Sequence, residues 1–292
     1  MIYVELCQNL SKREKTMQEK DNKQNIPDAA EKFVEYIDLI NYQLREPVTN
    51  IFALLPLMAE NISNCEAEKA LNNLNAVYRR TYSVIKCVNN LSVVSKLKSG
   101  YEYQKEIIDF SQLVKNVYQS ANMVLPDYFS VKLNIADGCI VEGSNSLLTL
   151  ALFNMLNNSL EYKKEDVQVS VTLKKEDARC VFTYRDNSKG IKPEIVTKVF
   201  EPFFSADPYN DGEITNKLGI GLYITKQAIL QTGGTILMQS EFGQGVNIVI
   251  SIPLTKCETT NVTKSKSGDF VLNKYSEMFV QLCEFCQLPD LI

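Results

Sequence analysis

Asn154 and Asn158 stand one helical turn apart in an apolar segment, Leu147 to Leu160, whose spacing fits a helix, so both amides project from one face. That face can hold a hard cation through amide oxygens. An amide cannot take a proton at neutral pH, so neither residue is a general base. Asp186 ends a strand-like segment, Val181 to Tyr184, and is followed by Asn187, Ser188, Lys189 and Gly190. Gly219 and Gly221 precede the apolar-periodic run Leu222 to Leu230, at a helix N-terminus where bare amides and the helix dipole favour phosphate. Taken singly, these are surface asparagines, an ordinary turn and a GxG with many innocent uses.

Their order gives them weight. LFNMLNNSLEY (Leu152 to Tyr162), RDNSKGI (Arg185 to Ile191), VFEPFF (Val199 to Phe204) and LGIGLYI (Leu218 to Ile224) follow one another within about a hundred residues. In that order and spacing they resemble the N, G1, F and G2 boxes of the ATP-binding domain shared by histidine kinases, DNA gyrase and MutL. The resemblance implies ATP and Mg²⁺ as cofactors, with Asn158 as the metal ligand and Asp186 accepting a hydrogen bond from the adenine amino group. It further implies that Asn154, Tyr162, Gly190, Lys217, Gly219 and Gly221 line the nucleotide. Phe200, Pro202, Phe203 and Phe204 match the F box, and Ser205 to Lys217 reads as the ATP lid. The chain departs from the pattern at four places. Asn154 stands where gyrase-like ATPases carry a water-activating glutamate, which favours phosphotransfer or plain binding over hydrolysis. Ser188 replaces the first G1 glycine. Lys217 takes the place of a glycine, where it either contacts phosphate or stiffens the lid. Glu161 replaces a phosphate-binding cation and would repel a triphosphate by about a kcal/mol or more if partly buried, with Lys163 or Lys164 as the nearest compensating charges.

These boxes need elements to hold them. Val131, Leu133 and Ile135 alternate as a strand, as do Val167, Val169, Val171 and Leu173; Thr235 to Ser240 and Val246 to Pro253 form the last hairpin. The expected fold is a mixed sheet covered on one face by helices and open to the nucleotide on the other. Upstream, Phe33, Ile37, Ile40, Leu44, Val48, Ile51, Leu55 and Met58 recur at spacings of three and four after a helix start at Pro27 and Asp28. Leu71, Leu74, Tyr78, Ile85, Val88, Leu91 and Val94 repeat the pattern after a polar turn around Asn61 to Glu68. One such hairpin leaves its seam exposed, so two chains would complete a four-helix bundle.

YQLREPVTNI, Tyr42 to Ile51, resembles the phosphoacceptor box of histidine kinases through Leu44, Arg45 and Pro47. A proline inside a helix usually bends it, at a cost that a plain coil would not carry. The reactive positions differ. Tyr42 stands where the histidine should be, Gln43 where the adjacent acid should be, and Glu46 where a threonine or asparagine supports the reverse reaction. A phenol titrates near 10 and is a poor nucleophile at neutral pH without a base. The chain has no histidine at all, so it cannot be phosphorylated on one of its own.

The expected architecture is α+β: an N-terminal polar extension (1–26), a dimerisation hairpin (27–99), an α/β sandwich ATP-binding domain (100–254), then a linker and one amphipathic C-terminal helix (255–292) carrying Leu272, Tyr275, Phe279, Leu282 and Phe285. With 31 basic and 35 acidic residues and a net charge of −4, there is no field to draw in nucleic acid. No apolar run approaches the length of a membrane span, and no secretory signal opens the chain. Eight cysteines without such a signal indicate reduced thiols and a cytoplasmic setting. Cys283 and Cys286 form a single CxxC without a histidine, better read as helix-face thiols than as a zinc site. Three functions remain open: a degenerate, pseudokinase-type regulator or scaffold of two-component signalling; a kinase acting on a partner's histidine; and an interaction protein without nucleotide. The partners implied are a second hairpin in a homodimer or heterodimer, and a response regulator or partner histidine kinase.

Overall fold

The computed structural model describes residues 34, 36–205, 217–255 and 267–286. The N-terminal extension, the helix start at Pro27, most of the expected ATP lid and most of the threonine-rich linker lie outside them. The described residues begin with helix α1 (36–63) and helix α2 (Ala67–Lys98), joined by a turn shorter than the sequence suggests. Cys65 closes that turn with a φ of 60°. Helix α1 runs unbroken through Pro47. Pro47 is also its only buried residue among those described, while Ile37, Val48, Phe52, Leu55 and Ile62 are exposed.

Beyond Gly100 the chain builds the α/β unit: strand β1 (Glu106–Asp109), helix α3 (Phe110–Val124), strands β2 (Phe129–Ile135) and β3 (Ile140–Gly143), helix α4 (Asn145–Glu161), strands β4 (Val167–Glu176) and β5 (Arg179–Asp186), helix α5 (Gly221–Gln231), and strands β6 (Thr235–Glu241) and β7 (Gly245–Pro253). Strands β1 and β3 form a small antiparallel pair; the main sheet has the order β2-β4-β5-β7-β6, parallel only between β2 and β4. Side chains alternate along β4, with Val167, Val169, Val171 and Leu173 buried against the helices and Gln168, Ser170 and Lys174 facing water. Helix starts are fixed locally. The Asp109 carboxylate accepts from Gln112 N at 3.0 Å, and Ser144 Oγ from Leu147 N at 3.4 Å. Helix α4 is buried on nearly every side, from Leu147 to Leu160, because α3, α5 and the C-terminal segment pack on it and β5 meets it at Ser159.

Two expectations are corrected here. The single amphipathic C-terminal helix is two short ones, α6 (Ser267–Leu272) and α7 (Glu277–Leu282), because Asn273 Oδ1 accepts from Tyr275 N at 2.9 Å and turns the chain between them. Leu272 and Tyr275, expected on its apolar face, are 88% and 70% exposed. The second correction concerns the sheet. Its helix-free face is the solvated one, and the large cavity opens on the helix-covered face, where Tyr184, Asp186, Met238, Val246 and Ile248 form its floor.

Candidate functional site

The cavity, about 470 Å³, is of the size that takes a small organic ligand. Helix α4 brings Asn154, Asn158, Glu161 and Tyr162 to it; the end of β5 brings Asp186; the following turn brings Ser188 and Gly190; the entry to α5 brings Lys217, Gly219 and Gly221. All eight residues expected to hold a nucleotide thus meet around one space.

Asp186 is held from three sides. Its Oδ1 accepts from the amides of Ser188 and Val246, each at 3.0 Å, and its Oδ2 accepts from the Ser159 hydroxyl. Because Ser159 spends its proton on the carboxylate, the Tyr184 hydroxyl is the donor in its 2.6 Å contact with Ser159 Oγ. Burial pushes the Tyr184 phenol well above its ordinary range, so it stays protonated as that donor. A carboxylate fixed in this way presents one defined edge to a ligand. Ser188 fits the turn without strain. Its side chain is buried and its φ is not positive. Gly190 could not be replaced so easily: at a φ of 69°, a Cβ would lie 2.2 Å from Glu241 O.

At the other end, Gly219 has a φ of 60°, and a Cβ there would lie 2.1 Å from Phe204 O. The backbone can therefore pass against the F box and enter α5, whose first-turn amides have no carbonyl to bond within the helix. Asn154 does not point into a reaction path. Its Nδ2 donates to Gly221 O at 3.2 Å, tying α4 to the first turn of α5. Asn158, half-buried, also lines the cavity wall, beside Asn157. Its oxygen is of the donor type that suits a hard divalent ion bridging to phosphate.

Compensation for Glu161 comes from a different lysine than expected. Lys163 stacks on the Tyr128 ring, 3.6 Å from its centroid, and Lys164 reaches Gly243 O; neither lines the cavity. Lys217 forms the ion pair with Glu161 and lies over the Tyr162 ring, 4.9 Å from its centroid. The two departures from the motif therefore neutralise each other.

Several wall residues lie outside the nucleotide motifs: Tyr42, Gln43, Glu46 and Pro47 of α1 were read only on the phosphoacceptor-type box, and Arg80, Ser83, Lys86 and Cys87 of α2 were not singled out from the sequence. Tyr42 is 47% exposed at the cavity. Tyr36 stacks on Phe203 of the F box at 4.2 Å, with Lys98 over both rings. Ser159 and Val246, which hold Asp186, lie next to matched positions, and a search for hydroxyls and glycine turns flanking the boxes would have flagged them. Among the described residues, no cluster of histidine, cysteine, aspartate and glutamate could hold a metal, and no helix is long and apolar enough to cross a membrane.

Residues 143–256 match the family model described as histidine kinase-, DNA gyrase B-, and HSP90-like ATPase. The sensor protein kinase WalK of Staphylococcus haemolyticus (strain JCSC1435) is 25% identical over 222 residues, 75% of this chain and 36% of that one. A WalK of Staphylococcus aureus is 26% identical over 222 residues, 75% of this chain and 53% of its own length. The chain thus spans about a third to a half of the curated relatives it matches. Among solved structures, the histidine kinase AdeS of Acinetobacter baumannii aligns with a TM-score of 0.53 at 16% identity, covering 74% of this chain and 98% of that one. Full-length ShkA in complex with AMPPNP also scores 0.53 at 17% identity, covering 66% and 40%. These two likenesses concern the fold, and they extend over the hairpin as well as the sheet domain. Residues 143–256 thus match the histidine kinase-, gyrase B- and HSP90-like ATPase model, in a histidine-free chain that is similar over most of its length to sensor protein kinases.

Proposed function

We propose that this protein binds ATP with Mg²⁺ in the cavity between α4, the end of β5 and the start of α5, and works in two-component signalling as a regulator or scaffold without a phosphoacceptor of its own. The observation that carries the reading is the convergence of Asp186, Asn158, Gly219 and Gly221 on one cavity, with Glu161 neutralised by Lys217. Asp186 would receive the adenine amino group, the first-turn amides of α5 would receive phosphate, and Asn158 would complete the metal's oxygen shell. The bound ion supplies charge neutralisation for the phosphates. The chain's own residues hold the base, shield it, and set the phosphate end beside the hairpin. Asn154 supports the non-hydrolytic side of the proposal, since its amide is engaged with Gly221 O and accepts no proton. Tyr42 has an exposed phenol where a phosphoacceptor would stand, and Gln43 beside it is no base.

A second reading, a kinase acting on a histidine of a partner chain, is favoured by the same retained nucleotide site. The partner would add its hairpin to the exposed apolar stripe of α1. Binding of a fluorescent ATP analogue with and without Mg²⁺ tests the first step, with Asp186→Asn and Asn158→Ala as controls. Mg²⁺-dependent binding that both changes weaken by about tenfold or more is expected; no binding at millimolar nucleotide would leave an interaction protein with an inherited fold. Adding a histidine-bearing hairpin and following phosphate transfer then separates regulator from kinase.

A further inference from the structure

We propose that residues 267–286 form a strap that locks the hairpin onto the ATP-binding domain and so controls opening of the cavity. The proposal rests on the nucleotide reading above only in its second half; the lock itself stands on contacts independent of any ligand. The strap lies beyond residues 143–256, where the family model ends. It packs on α2 of the hairpin and on α3 and α4 of the sheet domain at once. Met278, Phe279, Leu282, Cys283 and Cys286 are all almost completely buried, and Phe270 meets Phe153 of α4 edge to face at 5.6 Å.

Polar contacts fix the register. On α2, Arg79 Nη1 donates to the carbonyls of Cys283 and Cys286, each at 3.0 Å, and Tyr82 Oη donates to Lys274 O at 2.7 Å. The Arg79 bonds reach carbonyls just beyond the end of α7, and the Tyr82 bond reaches the turn before it. One turn further, Lys86 Nζ donates to both Asn157 Oδ1 of α4 at 2.8 Å and Gln281 O of α7 at 2.9 Å. Lys86 is thus a three-way joint between hairpin, sheet domain and strap. It also lines the cavity, as do Asn157, its neighbour Asn158, and Glu284 of the strap. Moving the strap would release Lys86 from one partner and shift the part of α2 that, with α1, lines the cavity.

The joint is built to open. Gln281 is fully buried and donates to Asn90 Oδ1 at 3.1 Å and Glu277 Oε1 at 2.8 Å, yet its own Oε1 has no partner among the described residues. An unmatched buried acceptor lowers the strength of docking without removing its specificity. A contact meant only to close the core would be apolar throughout.

Hydrogen exchange on the full chain, with fluorescent ADP release on the same samples, tests this. Arg79→Ala and Gln281→Glu are compared with wild type, and Arg79→Lys restores one donor. Exchange of amides in 277–286 and along the cavity face of α2 is expected to rise by about tenfold or more in the first two variants, with the strands unchanged and Arg79→Lys intermediate. Nucleotide release is expected to quicken several-fold in parallel. Faster exchange in the strap with α2 unchanged would overturn the lock, and so would no acceleration in Gln281→Glu. If α2 loosens while nucleotide release stays constant, control of the cavity is overturned. Should wild type bind no nucleotide, the functional reading fails, and the α2 exchange alone decides whether the strap locks the hairpin.

Discussion

Helices α1 and α7 both lie outside the matched domain and both rest against it, in opposite ways. α1 is long, amphipathic and periodic, yet Pro47 is its only buried described residue. α7 has six residues, and Met278, Phe279, Val280, Gln281 and Leu282 are all buried. Length and periodicity thus do not measure how firmly a helix is held. An apolar stripe with one neighbour leaves half of itself to water and calls for a second chain. A short helix set in a groove between α2 and α4 is surrounded, and its polar groups must be satisfied there too. The first arrangement suits association, the second attachment in cis.

Truncating the largest buried side chain of α7 would sharpen this contrast most. Phe279 is 1% exposed, and Phe279→Ala should cost about 3–5 kcal/mol from lost transfer energy and the cavity left behind, read as a lower urea midpoint. A loss under about 1 kcal/mol would mean that the segment contributes nothing to the fold. A smaller effect is expected at Tyr82, whose hydroxyl reaches Lys274 O at 2.7 Å. Tyr82→Phe keeps the ring and removes the donor, for about 0.5–1.5 kcal/mol in the same measurement.

The two helices also mark what the sequence can disclose. The boxes were legible because each depends on local chemistry: a helix face for Asn154 and Asn158, a strand end for Asp186, a helix start for Gly219 and Gly221. Asp186, Gly190 and Gly219 could be assigned before any contact was known. The Lys217–Glu161 pair could not, since it joins α4 to the entry of α5 across half the domain and only the fold brings it together. The same holds for Asn154, whose amide is used by Gly221 O, and for the side of the sheet on which the cavity opens. The C-terminal segment misled because Leu272 and Tyr275 fit an apolar spacing, while a turn at Asn273 sends both to solvent.

A slope with pH should separate the strap from the hairpin more finely. Burial raises the Glu277 carboxyl above its ordinary 4.5, against opposing effects of Gln281 and Lys86. In the docked state the charged form is the disfavoured one. The penalty is therefore present at neutral pH and fades as pH falls through the raised value toward 4.5, so docking strengthens on mild acidification. Glu277→Gln keeps an acceptor for Gln281 and should flatten this slope, with its stabilising effect largest near neutrality. An unchanged slope in strap exchange rates between the two proteins would show that another group titrates.

The smallest effect is expected on α1, and it is the one most able to break the comparison. Phe52 is 70% exposed, so in dilute protein Phe52→Ala should change the urea midpoint by no more than about 0.5 kcal/mol, as surface substitutions do. If α1 is instead covered by a second copy, wild-type stability rises with protein concentration through mass action, and the substitution removes part of that rise. A large loss at every concentration would mean that the chain's own residues cover Phe52. α1 and α7 would then be held by the same means, and the stripe on α1 would no longer argue for a partner.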